Sequence, residues 1–208
     1  MARYIGPVCR LCRREGIKLF LKGTKCDTAK CTFERRGYAP GQHGQNRTKL
    51  SEYGVQLREK QKLKRMWGML ERQFKNYFLK ASRTKGVTGE TLLQLLEFRL
   101  DNVVYHLGFS SSRSGSRQLV LHGHIEVNGH KVDRPSFGLK VGDKIEIINR
   151  AKIREQAKLM LEKTASRTPV SWLLLDKDNF KGEILKVPTR DEISVPVSER
   201  LIVELYSK

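Results

Sequence analysis

Long apolar runs are missing from this chain of 208 residues, and apolar residues make up only 38% of it. A membrane-spanning helix needs about 18 or more consecutive apolar residues, so an integral membrane protein is not expected. The start, MARYIGPVC, has no charged stretch followed by an apolar one, so no secretory signal is expected. We therefore expect a cytoplasmic protein, in which cysteines more often bind metal than form disulfides.

Enzyme signatures and acidic residues are scarce as well. The sequence has no Ser/His/Asp set, no phosphate-binding glycine loop and no dinucleotide-binding glycine motif, so no small-molecule substrate is expected. Only 22 Asp and Glu accompany 41 Lys and Arg, which leaves a formal net charge of +19.

This charge is concentrated in the first half of the chain. Residues 1–97 contain 22 basic and 8 acidic residues, a net charge of +14. Such a charge is self-repulsive unless a polyanion neutralises it, and a nucleic-acid backbone does so with release of counterions. A charge that serves solubility alone is usually only about 2–8 for a small domain. An anionic membrane is a weaker alternative, because no long basic helix has one clean apolar face.

All four cysteines lie near the start, as Cys9-x2-Cys12 followed by Cys26-x4-Cys31. Two close pairs joined by a short loop are typical of a structural zinc knuckle, whose four sulfurs surround the metal as a tetrahedron. Residues 1–50 have little apolar periodicity, so metal binding would supply folding free energy. The same spacing is compatible with an iron–sulfur cluster, with free thiols and with disulfides.

The next segment, residues 34–45, is rich in glycine and poor in apolar residues. Its composition predicts an extended, irregular stretch. Arg35 and Arg36 are candidate phosphate contacts, and the Tyr38 ring can stack on a base. We expect the segment to order on its partner, the alternative being a plain linker.

Residues 51–83 are predicted to be helical, with Ser51 as the N-cap. Arg58, Lys62 and Arg65 have helical spacing and therefore share a face. A face of like charge weakens an isolated helix, which suggests an external anion; a simply solvated face is the alternative.

Two further helical stretches carry the apolar residues of the first half. Phe74, Tyr77 and Phe78 follow helical spacing and are expected in the core. Residues 88–107 are predicted to form one long helix that ends at Gly108, and its broad apolar face predicts burial.

A compact basic module follows. Ser110 or Ser112 can cap a short helix that ends at Gly123. Asn128-Gly129 predicts a hairpin turn, and an alternating strand is predicted over residues 144–148. Four basic residues are expected on one side of this module: Arg113, Arg117, His124 and Lys131.

Beyond the cysteines, five stretches are distinctive in combination: Tyr38-Ala39-Pro40-Gly41-Gln42-His43-Gly44, Leu57-Arg58-Glu59-Lys60-Gln61-Lys62-Leu63-Lys64, Arg99-Leu100-Asp101-Asn102-Val103-Val104-Tyr105, the module, and residues 201–208. Over nearly the whole chain the sequence resembles the small-subunit ribosomal protein four family in its bacterial four-cysteine form. One departure is Ser114-Gly115-Ser116, where the family is commonly more basic. Gly115 is expected to weaken the helix by about 1 kcal/mol relative to Ala.

The resemblance implies a non-catalytic, structural constituent of the small ribosomal subunit in the cytoplasm. It implies a primary assembly protein that binds a multi-helix junction in the 5′ domain of 16S ribosomal RNA. It also implies a position near the path by which mRNA enters the subunit, contact with the neighbouring ribosomal protein five, and an influence on translational accuracy. The implied metal is Zn2+.

We expect an α+β fold with three parts. Residues 1–45 would form a zinc knuckle and an extended RNA-contacting segment, and residues 46–97 a helical domain. Residues 98–192 would form an RNA-binding module with helices on a mainly antiparallel sheet. The tail is predicted to contain a helix near residues 151–163 and two strands. The resemblance implies that a last helix, residues 197–206, returns to the helical domain.

The candidate metal ligands are Cys9, Cys12, Cys26 and Cys31. The candidate RNA contacts are Arg3, Arg10, Arg13, Arg14, Arg35, Arg36, Tyr38, His43, Lys49, Arg58, Lys62, Arg65, Arg72, Ser112, Arg113, Arg117, His124 and Lys131. Changing Arg113 and Arg117 together to Ala is expected to flatten the salt dependence of RNA binding by about two phosphate contacts.

Two different functions fit the sequence less well. Arg99-Leu100-Asp101 resembles the catalytic motif of pseudouridine synthases, in which the Asp is the nucleophile. No separate domain is large enough for a uridine pocket, so Asp101 is expected on a helix surface, paired with a Lys or Arg. A zinc-dependent DNA-binding regulator would need a polar recognition helix, and the better helices of this chain are too apolar.

Overall fold

The structure is a computed structural model that describes residues 3–46, 49–165, 167 and 169–207. The chain divides into two compact units. Unit 1 comprises Met1–Leu92 and Val195–Lys208, and unit 2 comprises Leu93–Ser194. Helices dominate unit 1 and a sheet with helices forms unit 2, which confirms the predicted α+β class. None of the described helices has both the length and the apolar character needed to cross a membrane.

The start of unit 1 contains only short elements. These are α1 (Cys9–Glu15), a 3-10 helix (Gly23–Asp27) and α2 (Thr32–Arg35). The described residues 36–46 form turns and bends without helix or strand, whereas Glu34 and Arg35 belong to α2, so the irregular stretch predicted over residues 34–45 is confirmed except at its start. A segment so poor in apolar residues has little to pack against, so regular structure gains no support from a core.

Two longer helices follow, α3 (Glu52–Met66) and α4 (Glu71–Arg83). The Ser51 hydroxyl accepts a hydrogen bond from the backbone N–H of Gly54 at 3.2 Å, which confirms the predicted N-cap. Phe74 and Phe78 are buried as expected.

The predicted single helix over residues 88–107 is wrong, because the stretch forms two helices, α5 (Thr88–Glu97) and α6 (Leu100–His106). Between them Arg99 is extended and bridges to Gly138. The backbone N–H of Leu139 also donates to the carbonyl of Phe98 at 2.9 Å. Hydrogen bonds to a distant segment replace those that would continue the helix. The apolar periodicity does not register the break, because both helices bury apolar residues at helical spacing.

The remaining elements of unit 2 are α7 (Arg113–Leu121), β1 (Ile125–Val127), β2 (His130–Lys131), β3 (Lys144–Ile147), α8 (Ala151–Thr164), β4 (Leu173–Asp176) and β5 (Lys181–Ile184). Within the described residues the strands form an antiparallel five-stranded sheet in the order β2-β1-β3-β5-β4. Asn128 and Gly129 both have positive φ, which confirms the predicted hairpin turn. The predicted loop at residues 166–169 lies partly outside the described residues.

Unit 2 is built on one apolar core. Alternate residues of β1 and β3 are buried, as expected for strands with one covered face, and they share the core with α6 and with Trp172. At Gly182 of β5, an added Cβ would lie 2.4 Å from the Leu107 side chain. Only glycine therefore lets α6 approach the sheet this closely.

The last helix, α9 (Glu199–Tyr206), belongs to unit 1 and packs against α3. The Gln56 amide donates to Glu204 Oε2 at 3.2 Å. The Tyr206 ring stacks on Phe78 with the ring centroids 4.4 Å apart. Unit 1 is therefore discontinuous in sequence, since its helical core is completed by the end of the chain.

Candidate nucleic-acid interface

The cysteine segment gathers its thiols in a partly enclosed space. Cys12, Cys26 and Cys31 are each at most 8% exposed, and Cys9 is half-buried. The backbone N–H of Lys22 lies 3.4 Å from Cys26 Sγ and donates to it. Burial raises the pKa of the Cys12 thiol, and charge on the other three cysteines would raise it further. The four thiols are therefore electrostatic neighbours.

The donor set suits a structural metal in its chemistry and its burial. The positions of the four cysteine side chains, however, do not suit a bound metal. Among the described residues no group of three or more His, Cys, Asp or Glu side chains is arranged to hold a metal ion. A metal bound by Cys9, Cys12, Cys26 and Cys31 would require the thiols to move closer together.

The basic face of α3 is covered by α1, which corrects the expectation that it is open to an external anion. The carboxylate of Glu15 has no exposed surface, and its Oε1 accepts a hydrogen bond from Arg58 Nη1 at 3.2 Å. Arg65 donates to the same carboxylate oxygen. Lys62, the third residue of the face, pairs with Glu59. The three cations are thus engaged within unit 1, and their contact with RNA stays a prediction.

Glu15 was missed by the sequence analysis, because one acid among many bases carries no pattern of its own. Burial raises the pKa of Glu15, and the nearby Arg65 and Arg58 offset that rise only in part. The two guanidinium groups keep about a fifth of their surface exposed, so this ion pair is buried on the carboxylate side only.

Arg13 holds the irregular segment in place. Its Nε donates to the Tyr38 carbonyl at 2.9 Å and its Nη2 to the Ala39 carbonyl at 3.3 Å. The guanidinium also lies 5.1 Å from the centroid of the Tyr38 ring. Arg13 therefore has a structural role here, while the Tyr38 ring stays partly exposed for a further stacking partner.

The remaining cations predicted in unit 1 point to solvent. None of them has a carboxylate partner among the residues that the structure describes. The exposed residues of this set are Arg3, Arg10, Arg14, Arg35, Arg36, His43, Lys49 and Arg72. Positive side chains without local counter-charges are suited to phosphate oxygens.

In unit 2, Arg117 is buried, which corrects its expected place on an exposed face. Its Nη1 lies 3.3 Å from Asp101 Oδ2. Asp101 also accepts two hydrogen bonds from Arg99, at 3.0 and 2.8 Å. Asp101 is 5% exposed and not on a helix surface as expected, although its pairing with arginine is confirmed. Helical spacing correctly predicted that Arg117 lies near Arg113. It could not predict that Arg117 is buried against the carboxylate of Asp101.

Arg113 is held by a chain of polar contacts. Its Nε donates to Asn102 Oδ1 at 2.8 Å, and the Asn102 amide donates to Glu97 Oε2 at 2.6 Å. Although burial alone would raise the pKa of Glu97, the neighbouring His106 and Arg113 hold it below its usual range. A carboxylate that stays ionised keeps the amide and the guanidinium oriented.

Two guanidinium groups lie over the Tyr105 ring. The Cζ atom of Arg113 is 4.6 Å from the ring centroid and that of Arg167 is 4.5 Å from it. Arg167 also donates to the carbonyls of Ser110 and Ser111, so it fixes the loop before α7. The sequence analysis missed Arg167, which lies in an irregular loop without periodicity.

The packing at the start of α7 explains why position 115 is glycine and not a helix-favouring residue. The Ser112 hydroxyl caps the helix by accepting the Gly115 N–H at 3.2 Å, as predicted. A Cβ on Gly115 would lie 2.3 Å from Ser110 Oγ. Ser112 is therefore used as a cap, and its contact with RNA stays a prediction.

His124 and Lys131 differ in exposure. Lys131 is exposed and lies over Gly123, where an added Cβ would be 2.1 Å from Lys131 Cε. His124 is half-buried and its Nδ1 has no hydrogen-bond partner among the described residues. Of the four basic residues expected on one side of the module, Lys131 is the most exposed and Arg117 the least.

Comparison with known families covers both units. Residues 3–97 match the ribosomal protein S4/S9 N-terminal domain, and residues 98–145 match the S4 domain. Over its full length and theirs, the chain is 61% identical to small ribosomal subunit protein uS4 of Thermoanaerobacter sp. (strain X514) and 57% identical to that of Desulforamulus reducens. The identity to the uS4 protein of Dictyoglomus thermophilum is 58%, again over both full lengths. Because these matches span the cysteine segment, the helical unit and the sheet, this chain belongs to the uS4 family of small ribosomal subunit proteins.

Proposed function

We propose that this protein is a structural constituent of the small ribosomal subunit in the cytoplasm and that it binds 16S ribosomal RNA. The observation that carries the proposal is the set of exposed cations in unit 1 that have no carboxylate partner among the described residues. The S4 domain matched by unit 2 and the names of the relatives support it. The family is not enzymatic, and Asp101 is enclosed by two arginines, so an RNA-modifying activity is not expected.

Affinity and specificity come from different contacts in this proposal. Phosphate contacts from unit 1 supply most of the affinity, because each one releases counterions. Specificity follows the shape of a multi-helix junction in the 5′ domain, since double-stranded RNA is recognised mainly by shape. Primary assembly, a position near the path by which mRNA enters, contact with ribosomal protein five and an influence on accuracy complete the proposal. The family resemblance alone supports these finer roles.

The RNA proposal is tested by measuring how the affinity for the 5′-domain junction falls with salt. Changing Arg35 and Arg36 together to Ala should reduce the slope of log K against log salt by about 1.5, or about 0.7–0.9 per lost phosphate contact. The matched control changes Lys152 and Lys158 to Ala, since both are exposed but were not predicted to touch RNA. A slope unchanged in the first variant, or an equal preference for duplex DNA, would contradict the proposal.

We also propose that Cys9, Cys12, Cys26 and Cys31 bind one structural metal, Zn2+ or an iron–sulfur cluster. The burial of three of the thiols and their electrostatic proximity support this. A bound metal would cross-link the segment that has least apolar core of its own.

Elemental analysis of the purified chain tests the metal proposal and distinguishes zinc from iron. Chelation should raise hydrogen exchange in residues 3–46 while the amides of α6, α7 and the sheet stay protected. A Cys26→Ser variant should lose the metal. Full protection of residues 3–46 in a metal-free chain would overturn the proposal, and so would a global loss of structure on chelation.

A further inference from the structure

Unit 2 contains a cavity between α7, β1, β3 and α8. Of the predicted RNA contacts, His124 alone lines it. Its volume is about 210 Å3, several times the roughly 30 Å3 that one water occupies in the liquid. Phe109, Ile147 and Ile153 contribute apolar walls. The wall of this partly open cavity is about equally polar and apolar, so it offers a ligand both apolar contact and hydrogen bonds.

The polar groups of the cavity offer directional hydrogen bonds. Gln118 and Gln156 line it, and each amide can both donate and accept. His124 lines it too, with a buried Nδ1 that has no hydrogen-bond partner in the described part of the chain. Burial keeps the pKa of His124 below its ordinary value, and the charges of His122 and Arg150 act in the same direction. A neutral imidazole both donates and accepts, and a ligand that pairs with it satisfies a buried polar atom.

Two cations lie near His124, outside the cavity lining. Lys131 and Arg150 are exposed, and both act electrostatically on His124. Neither has a carboxylate partner among the described residues. His122 lines the cavity, and its ring centroid lies 5.9 Å from that of His124. The surroundings therefore favour an anionic group next to a cavity whose wall offers both apolar contact and hydrogen bonds.

We propose that this cavity binds one nucleotide, with an unstacked base inside and its phosphate near Lys131 and Arg150. A base provides a flat apolar face together with an edge of donors and acceptors, which suits these walls and amides. The occupant is a looped-out nucleotide of the bound RNA, and in this form the inference rests on the proposed function. A free mononucleotide has the same chemistry and is distinguished by the experiment.

The decisive variant obstructs the mouth of the cavity. Gln156 is exposed but lines the cavity, so Gln156→Trp places a bulky side chain at its mouth, whereas Glu155→Trp puts the same side chain at the adjacent exposed position of α8, which does not line the cavity. In the full chain, Gln156→Trp should weaken binding of the 5′-domain RNA by about tenfold, the effect of losing one bound base, and Glu155→Trp should not. His124→Phe keeps a ring without the nitrogens and should weaken binding severalfold. Thermal unfolding verifies that all three variants fold.

A second arm titrates AMP, GMP, CMP and UMP separately into the isotope-labelled chain and follows the Gln118 and Gln156 amide signals. Shifts that disappear in Gln156→Trp, with RNA affinity unchanged, would support a site for a free nucleotide. A loss of RNA affinity in Gln156→Trp alone supports the looped-out base. If Gln156→Trp binds RNA like the unaltered chain and no mononucleotide shifts any cavity signal, the inference is overturned while the proposed function stands. Failure of the unaltered chain to bind the junction would instead refute the proposed function.

Discussion

Each unit buries one carboxylate between two arginines, but the two clusters differ in how far the cations are enclosed. In unit 1, Arg58 and Arg65 keep 22% of their side-chain surface exposed around Glu15. In unit 2, the side chains of Arg99 and Arg117 are 0% and 7% exposed around Asp101. One cluster attaches a short helix to the surface of α3, and the other closes the break between two core helices.

A cation at helical spacing is therefore not by itself a sign of an RNA contact. Where a carboxylate lies within reach and the helix is packed, the guanidinium turns inward and becomes part of the fold. Where the chain is irregular, as around Arg35 and Arg36, the side chains stay exposed and available to phosphate. Removing one carboxylate at a time tests this difference between the two clusters.

The largest effect is expected from Asp101→Asn, which removes the carboxylate that pairs with both buried arginines, Arg99 and Arg117. Breaking a fully buried pair from one side costs about 3–5 kcal/mol of unfolding free energy. Urea unfolding is followed by the fluorescence of Trp172 in a Trp67→Phe background, so that only unit 2 is observed. Asp133→Asn, at an exposed position, is the control. A loss below about 1 kcal/mol would show that water solvates the two arginines.

A smaller effect is expected from Glu15→Gln, about 2 kcal/mol, because Arg58 and Arg65 remain partly solvated when their partner is lost. The fluorescence of Trp67 in a Trp172→Phe background reports on unit 1. The control is Glu34→Gln, whose pair with Lys18 lies at the surface and should contribute less than about 1 kcal/mol. If Glu15→Gln and Glu34→Gln had equal unfolding free energies, the contact of Glu15 with α3 would not contribute measurably to stability.

Changing Arg113 and changing Arg117 should have different effects on the salt dependence of RNA binding. Because Asp101 engages Arg117, we now expect the Arg113 and Arg117 double change to remove one phosphate contact and not two. Arg113→Ala should reduce the salt slope by about 0.7–0.9, worth about 1 kcal/mol. Arg117→Gln, which removes the charge, should leave the slope unchanged. Equal slope changes in the two variants would place Arg117 at the interface after all.

The smallest effect is a pH dependence of unit 1 that arises at Glu71. Burial alone would raise its pKa, but hydrogen bonds from Lys60 and Lys64 outweigh that rise and lower the pKa to about 2. The folded-state pKa is thus below the unfolded value of 4.5, so the stabilisation is complete above pH 4.5 and is lost as the pH falls towards 2. Because Glu71 is about half exposed, we expect only about 1 kcal/mol.

The measurement for Glu71 compares the unfolding free energy of the unaltered chain and Glu71→Gln from pH 6 to pH 2, again with Trp67 as the reporter. The difference between the two should shrink over the lower half of that range. A constant difference would mean that the Lys60 and Lys64 contacts do not depend on the charge of Glu71.

Local signals predicted most of the secondary structure. The Ser51 cap, the turn at Asn128-Gly129 and the end of α6 at Gly108 are set by neighbouring residues, and all three are confirmed. The break at Arg99 was missed, because its cause is a bridge to Gly138, far away in the chain. The exposed cations of the irregular segment could be foreseen, since they follow from composition, but their contacts with RNA stay predictions.

Composition, local patterning and motif spacing were enough to predict the α+β class, the surplus of positive charge and the similarity to a ribosomal protein family. Three features became visible only in the folded chain: which arginines are enclosed, the contact of Arg167 with the Tyr105 ring, and the cavity lined by α7, α8 and two strands. The reason is that burial and ion pairing depend on residues far apart in sequence, and helical spacing does not specify what packs over a face.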